Sequence, residues 1–407
     1  MNKSFFQTVR GAVCWFVLVV LVMHTLVPVH ARSAQPATPK VAKITQIDVG
    51  SQHSCVLKSD TSIWCWGNNQ DSQLANGSYI YYSLQQTQVR DSRYRPFLYS
   101  KAVTAGVFHT CALIRTGTVW CWGHNGSGQL GDRTTTNRNY PVQVIRADGI
   151  ALSGITHIDA GLDSTCARNS SGYVFCWGNG SAVGAQLVYK SDGFALQAVT
   201  ISNSHDHACA IAVTRAVWCW GEGEYGRLGN NSGSDQSSAV EVQRSTGGSL
   251  GSITHIATAE AHTCARQSNS TLWCWGRNWA GQIGDQTKDD RYQAVEVMSG
   301  VSTVNDAKAI FTGYAHSCYI TTTNILKCWG NNWAGQVGNG TQITQLEPVV
   351  VKQATMATMS GVTSGSGGQD HTCVIATGAV VWCWGLNYYG QVGDGTHRLR
   401  LRAVKIK

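Results

Sequence analysis

Fourteen cysteines and six histidines recur at fixed intervals in this chain, and their chemistry has to be decided first. The cysteines form seven pairs ten residues apart: Cys55 with Cys65, Cys111 with Cys121, Cys166 with Cys176, Cys209 with Cys219, Cys264 with Cys274, Cys318 with Cys328 and Cys373 with Cys383. Each second cysteine is followed by Trp-Gly. A histidine stands two residues before the first cysteine at His53, His109, His207, His262, His316 and His371, and Ser164 takes that place in the third unit. His-x-Cys plus a distant Cys offers three metal ligands per unit. Zinc sites usually bring a C-x-x-C pair, and the chain has none. The expected chemistry is therefore seven disulfides and no metal, each closing a loop of about eleven residues and stabilising by roughly 3 kcal/mol in the chain-entropy model. Catalysis needs one asymmetric constellation of acid, base and nucleophile. A histidine copied into nearly every unit is a structural residue instead. No P-loop, H-E-x-x-H or G-x-S-x-G motif occurs, so no catalytic residue and no cofactor are expected.

The elements that must position these residues follow from the same spacing. The first cysteines of successive pairs lie 56, 55, 43, 55, 54 and 55 residues apart, a period that marks propellers or solenoids. Around each pair the apolar residues alternate and are rich in Val, Ile and Trp, which is strand chemistry. Four short strands per unit give an all-β fold, a seven-bladed β-propeller with about four antiparallel strands and one disulfide per blade. If Cys111 faces Cys121 in a hairpin, the loop is Arg115-Thr116-Gly117, with Gly at the position that needs a positive φ. Gly172 and Asn324 suit that position; Arg215 and Ala379 fit it less well. In this register His53 falls opposite Gly67, which leaves room for an imidazole, and Trp64 and Trp66 point away from the cysteine face. The first-strand sequence from Ile44 and the last-strand sequence to Ile406 are expected to meet and close the ring, removing a free edge.

Residues 1–31 read as a secretory signal peptide: Lys3 and Arg10, an apolar run from Gly11 to Val29, then a small-residue site at Val29-His30-Ala31. An uncleaved membrane anchor is the alternative on the length of that run. Cys14, the odd cysteine, lies within it. Residues 32–43, with Pro36 and Pro39, are a flexible lead-in, and 44–407 are the propeller. The expected location is secreted, periplasmic or cell-surface, in keeping with paired cysteines. The formal charge of +8 falls to 29 − 23 = +6 without residues 1–31. The basic residues Arg398, Arg400, Arg402, Lys405 and Lys407 alternate along a strand and read as a solvated edge, so no nucleic-acid partner is expected. Sequons occur at Asn76, Asn125, Asn169, Asn179, Asn230, Asn269 and Asn339.

The run Gly106 to Leu113 (Gly-x-x-His-Thr-x-Ala-Leu) and the run Trp122 to Gly131 (Trp-Gly-x-Asn-x-x-Gly-Gln-Leu-Gly) recur in order. They resemble the repeats of the regulator of chromosome condensation family, a seven-bladed β-propeller, over about residues 44–407. The cysteine pairs are an addition to the family pattern. The resemblance implies a fold far better than a function. A nuclear member promotes nucleotide exchange on a small GTPase, and a plant member senses ultraviolet light through clustered tryptophans. By architecture alone, a secreted bacterial propeller that inhibits β-lactamase through loops on one face offers a closer functional analogy.

Function should lie where the units differ. Three residues after each Gly of Trp-Gly stands a variable position, occupied by Gln70, Gly126, Glu224, Trp279, Trp333 and Tyr388, with Tyr225 and Tyr389 beside it. Trp279, Trp333 and Tyr388 fall in three consecutive units and should form an arc on one face, suited to protein or carbohydrate. The bland reading is that they cap their own blades. Unit 1 carries an insertion with Tyr79, Tyr81, Tyr82, Tyr94, Tyr99, Arg90, Arg93 and Arg95, and unit 3 lacks the Gly-Gln-Leu-Gly loop, which opens a notch or marks a decayed repeat. The expected function is a non-enzymatic binding propeller with a protein partner. Carbohydrate or cell-envelope binding is the first alternative, an enzyme in the central channel the second, and guanine-nucleotide exchange by family analogy the third.

Overall fold

The structure, a computed structural model, describes residues 42–78, 80–179 and 181–406, without the side chains of 181–183. The expected signal peptide with Cys14, the expected lead-in up to residue 41, Tyr79, Gly180 and Lys407 lie outside the described residues. Each repeat forms one four-stranded antiparallel sheet in chain order, and there are seven such sheets. Blade 1 comprises Ile44–Val49, His53–Lys58, Ile63–Asn68 and Tyr82–Gln88; blade 7 comprises Val362–Gly367, His371–Ala376, Val380–Gly385 and Arg400–Lys405. A small ribbon, Met298–Ser299 with Ser302–Thr303, lies between blades 5 and 6. The first strands of all seven blades line a central channel of about 510 Å³.

Every cysteine faces its partner, as the spacing requires. The Lys58 N–H donates to Ser62 O in the turn, so alternate pairs up the hairpin exchange hydrogen bonds, and Cys55 and Cys65 occupy a non-hydrogen-bonded position. There the side chains approach closest. All seven pairs are disulfides: Cys55 is bonded to Cys65, Cys111 to Cys121, Cys166 to Cys176, Cys209 to Cys219, Cys264 to Cys274, Cys318 to Cys328 and Cys373 to Cys383, with Cα–Cα distances of 4.0–4.1 Å. Cys65, Cys219, Cys274, Cys328 and Cys383 are fully buried. They staple the scaffold and take no part in a binding surface. The third loop residue takes a positive φ in every blade, whatever its identity: Gly117 at 83°, Gly172 at 87°, Asn324 at 62°, but also Thr61, Arg215, Ser270 and Ala379 at 61–72°. The hairpin dictates the backbone, and the side chain tolerates it.

Two expectations are corrected by how blades pack. The chain ends do not share a sheet: Ile44–Val49 is the innermost strand of blade 1 and Arg400–Lys405 the outermost of blade 7. Closure comes from packing of whole blades, with Ile47, Val49, Val56 and Trp66 of blade 1 in one cluster with Ile375, Val381, Val392 and Ile406. Nor does Gly67 make room for the His53 ring. A Cβ there would meet backbone, Gln52 O at 2.5 Å and His53 Cα at 2.8 Å, and its φ is +102°. The imidazole is accommodated by Gly50 in the preceding turn, where a Cβ would stand 2.7 Å from Nδ1.

The histidines join blades. Each bonds through Nε2 to the hydroxyl that follows the equivalent histidine position in the next blade: His53 to Thr110, His109 to Thr165, His207 to Thr263, His262 to Ser317, His316 to Thr372 and His371 to Ser54, at 2.8–3.0 Å. Most of these hydroxyls donate onward to a loop carbonyl of the first blade, as Thr110 does to Gln73 O and Thr372 to Gln336 O, at 2.9 Å. The hydroxyl proton is thereby committed, so Nε2 must carry the imidazole proton. The same carbonyls accept the buried indole N–H of Trp122 and Trp384. Burial lowers the pKa of His53, His109, His262, His316 and His371 to about 3 and keeps them neutral.

Candidate binding face

In an up-and-down sheet of four strands, the turn between strands 1 and 2 and the loop between strands 3 and 4 emerge at the same end. This end of the ring carries all five aromatic residues singled out by the sequence. Trp279, Trp333 and Tyr388 are 46%, 52% and 69% exposed, and Tyr225 and Tyr389 are half-buried. One residue per blade is presented by blades 5, 6 and 7, and no ring contact links the three to each other among the described residues.

Their backbones are fixed by the loop itself. In blade 6, Asn332 Nδ2 donates to Thr341 O and Ile343 O at 3.0 Å, Asn332 Oδ1 accepts from Val337 N–H, and Gln336 Oε1 accepts from Ala334 N–H. The same network recurs around Asn125, Asn278 and Asn387. Asn125 is fully buried in it, so that sequon is part of the scaffold. A second repeated feature, Asp132–Arg138, Asp285–Arg291 and Asp394–Arg400, clamps the loop end to the fourth strand. Arg400, counted in the basic edge, is spent in this clamp.

The turns between strands 1 and 2 reach Trp333 directly and Tyr225 through Arg277, and sequence reading missed them. Trp333 Nε1 donates to Asp370 Oδ1 at 2.9 Å, and Gln336 Nε2 donates to the same oxygen at 3.0 Å. Asp370 is buried, and burial raises its pKa to about 6 against the effect of the indole hydrogen bond. Across blades 4 to 6, the Arg277 guanidinium lies 4.5 Å from the Tyr225 ring and 3.7 Å from Glu260. Burial first, then the Glu260 charge and hydrogen bond, push the Tyr314 phenol up to about 12. Tyr314 in turn meets His205 edge-on at 5.4 Å. The signal was available in principle: the two residues inside each Gly-x-x-His turn differ from unit to unit.

The tyrosines of unit 1 do not form one patch. Tyr81 precedes and Tyr82 opens the fourth strand, at the loop end, whereas Tyr94 and Tyr99 follow it, at the opposite end. Tyr82 stacks edge-on against His397 at 5.2 Å, and His397 Nδ1 lies 2.7 Å from Tyr388 O. Blade 1 thus extends the aromatic face beyond Tyr388 and Tyr389, whose rings meet at 4.9 Å. At the other end Arg90 donates to Tyr94 O, and Arg95 pairs with Asp91.

The channel carries polar groups, and they tie blades together. Asp48 accepts from Ala105 N–H at 2.9 Å and from Ser366 Oγ at 2.7 Å. Asp159 accepts from Asn203 N–H at 2.8 Å and from Thr104 Oγ1 at 3.2 Å. Burial, helped by the charge on Asp48, raises the Asp159 pKa to about 7.

The repeat described as regulator of chromosome condensation (RCC1) matches residues 44–73, 101–129, 155–182, 307–336 and 362–391, and a second form of it matches 116–168 and 216–266. The chain belongs to the RCC1 repeat family. It is 26% identical over 381 residues to the ultraviolet-B receptor UVR8 of Arabidopsis thaliana, covering 89% of this chain and 81% of that protein. It is 26% identical to the probable E3 ubiquitin-protein ligase HERC4 of Homo sapiens over 84% of this chain, and spans only 32% of HERC4. Yeast RCC1 (Prp20), solved bound to Kap60, superimposes with a TM-score of 0.70 at 19% identity over 90% of this chain and 84% of that one, a likeness of fold. The seven disulfides sit at the same register of this fold in every blade.

Proposed function

We propose that this RCC1-type propeller is an exported, non-enzymatic binding protein that holds a protein partner on the loop end of the ring, across blades 4 to 7 and into blade 1. The observation that carries the reading is Trp333: half-exposed, yet with its indole N–H fixed on the buried Asp370 carboxylate. An exposed aromatic held in one orientation loses little freedom on binding, which is what an interface anchor needs. Trp279 and Tyr388 repeat the placement in flanking blades, and the Tyr225–Arg277–Glu260–Tyr314 group supplies charge inside the arc. Protein binding also accords with the neighbours: yeast RCC1 (Prp20) was solved bound to Kap60, and its binding to Gsp1p and histones has been described. Export is supported by the N-terminal sequence and by seven cysteine pairs.

The test is affinity capture from the extracellular or envelope fraction with the oxidised mature chain, beside a variant of equal thermal stability in which Trp279, Trp333 and Tyr388 are all changed to Ala. A partner held by the parent and lost by the variant supports the reading; equal capture by both refutes the face. Competition by soluble glycan would move the assignment to carbohydrate, and accelerated nucleotide release from a GTPase would move it to exchange.

A further inference from the structure

Six junctions between blades are plugged in the same way, and the seventh is not. At each plugged junction the loop of one blade sends an apolar side chain (Leu74, Leu130, Leu228, Ile283, Val337 or Val392) into the cluster that holds the next blade's tryptophan, and all six are fully buried. The preceding loop residue turns its carbonyl onto that indole N–H at 2.8–2.9 Å. Between blades 3 and 4 this loop is missing from the sequence. Among the described residues the cluster there contains no side chain from a loop between the third and fourth strands, and Trp220 is only partly buried. Among the described residues its indole N–H has no such acceptor. A cavity of about 320 Å³ takes the place of the plug, lined by Cys176, Gln186, Tyr189, Ala208, Trp220 and Ser238 among others.

We propose that this notch is a second binding site, independent of the aromatic face, and that its occupant is a surface loop of a partner protein. The chemistry of that loop is given six times by the molecule itself: a tight turn with one apolar side chain followed by a glycine or alanine, and a main-chain carbonyl directed at the indole. The small residue is needed because the turn lies on the ring. At Gly393 a Cβ would stand 2.5 Å from Trp66 Nε1, and φ is +78°. The rest of the junction is adapted to the missing loop. Ser164 and Ala208 replace the histidine and hydroxyl, and Ser164 instead bonds Asn203. Only Trp220 retains the receiving half of the contact.

The probe is a backbone-cyclised peptide carrying residues 125–132, Asn-Gly-Ser-Gly-Gln-Leu-Gly-Asp, titrated against the oxidised chain. The readout is the Trp220 indole N–H resonance, assigned with Trp220→Phe. A saturable shift is expected, weakened at least about tenfold when the peptide's Leu is replaced by Asp. A plugged chain, with residues 124–137 of unit 2 grafted in place of Asn179 and Gly180, should lose the response and melt at a higher temperature. This second variant reports even where Trp220→Phe destabilises. No saturable shift at millimolar peptide, or an equal shift in the plugged chain, overturns the proposal. So does a concentration-dependent dimer of the parent that the plug dissociates, which would assign the notch to a second copy.

Discussion

Acid should loosen this propeller well before its carboxylates titrate in the ordinary range. His53, His109, His262, His316 and His371 are held neutral at a pKa of about 3 by burial, against about 6.5 in the unfolded chain. Between those values the unfolded state binds more protons, so stability falls as pH falls. At pH 5 each histidine costs about 2 kcal/mol relative to neutral pH, and the five together about 10 kcal/mol as an upper bound. Asp159, raised to about 7, and Asp370, raised to about 6, act in the opposite sense. Their protonated forms favour the folded state, a contribution that is lost as pH rises through those values, and together they return roughly 4 kcal/mol at pH 5. From these seven groups the net loss from pH 7.5 to pH 5 is then about 6 kcal/mol, with net uptake of about three protons on unfolding at pH 5. Denaturant unfolding of the disulfide-intact chain at half-unit pH intervals measures it. His316→Gln, which keeps a donor for Thr372, should reduce that uptake by about one proton. A flat midpoint between pH 7 and 5, or a slope unchanged by His316→Gln, would refute the assignment of the pH dependence to the buried ring of imidazoles.

Three further outcomes are expected. Thr372→Val keeps the side-chain shape but strips His316 Nε2–H of its acceptor; chemical denaturation should show a loss of about 1–3 kcal/mol. Arg215→Gly relieves a positive φ of 68° and should raise stability by about 0.5–1 kcal/mol, read as a higher midpoint with unchanged slope. Under limiting reductant, Cys166–Cys176 should open first, because Cys176 lines the notch and is partly exposed while the cysteines of the other six pairs are fully buried; differential alkylation with mass spectrometry identifies the first pair, and any other pair would count against an open notch.

What could be read from the chain was whatever strand pairing determines. Cys111 opposite Cys121, the loop at Gly117 and the four-strand unit depend on local register, and a fixed spacing encodes register directly. Contacts between blades were not legible. The residue that accommodates His53 is Gly50, whose proximity depends on a turn conformation, and the hydroxyl it meets, Thr110, is 57 residues away. The first and last strands looked like partners because propellers close, but closure here uses faces of complete blades, which leave no trace in strand order. At the candidate face the exposed aromatics were visible because they break a repeat. Asp370, Glu260 and Tyr314 were not, since they sit in turns between two recurring motifs and matter only once the loops of one blade reach the turns of the next.

The junction between blades 3 and 4 separates loss of a repeat from replacement of one. The histidine, hydroxyl and loop carbonyl form a relay, in which each hydrogen bond makes sense only with the next. Had the loop alone been lost, a hydroxyl at position 208 would face a missing acceptor, and an imidazole at position 164 would have to be buried beside it, at the cost of unsatisfied polar groups. Instead both ends of the relay are altered: Ala208 is apolar and Ser164 finds Asn203. That is a junction whose polar groups are balanced in the absence of a plug. Trp220 is the exception: its ring packs on the cluster between the two blades, while among the described residues no loop carbonyl meets its indole N–H. That indole beside a cavity of about 320 Å³ makes the grafted plug the discriminating variant.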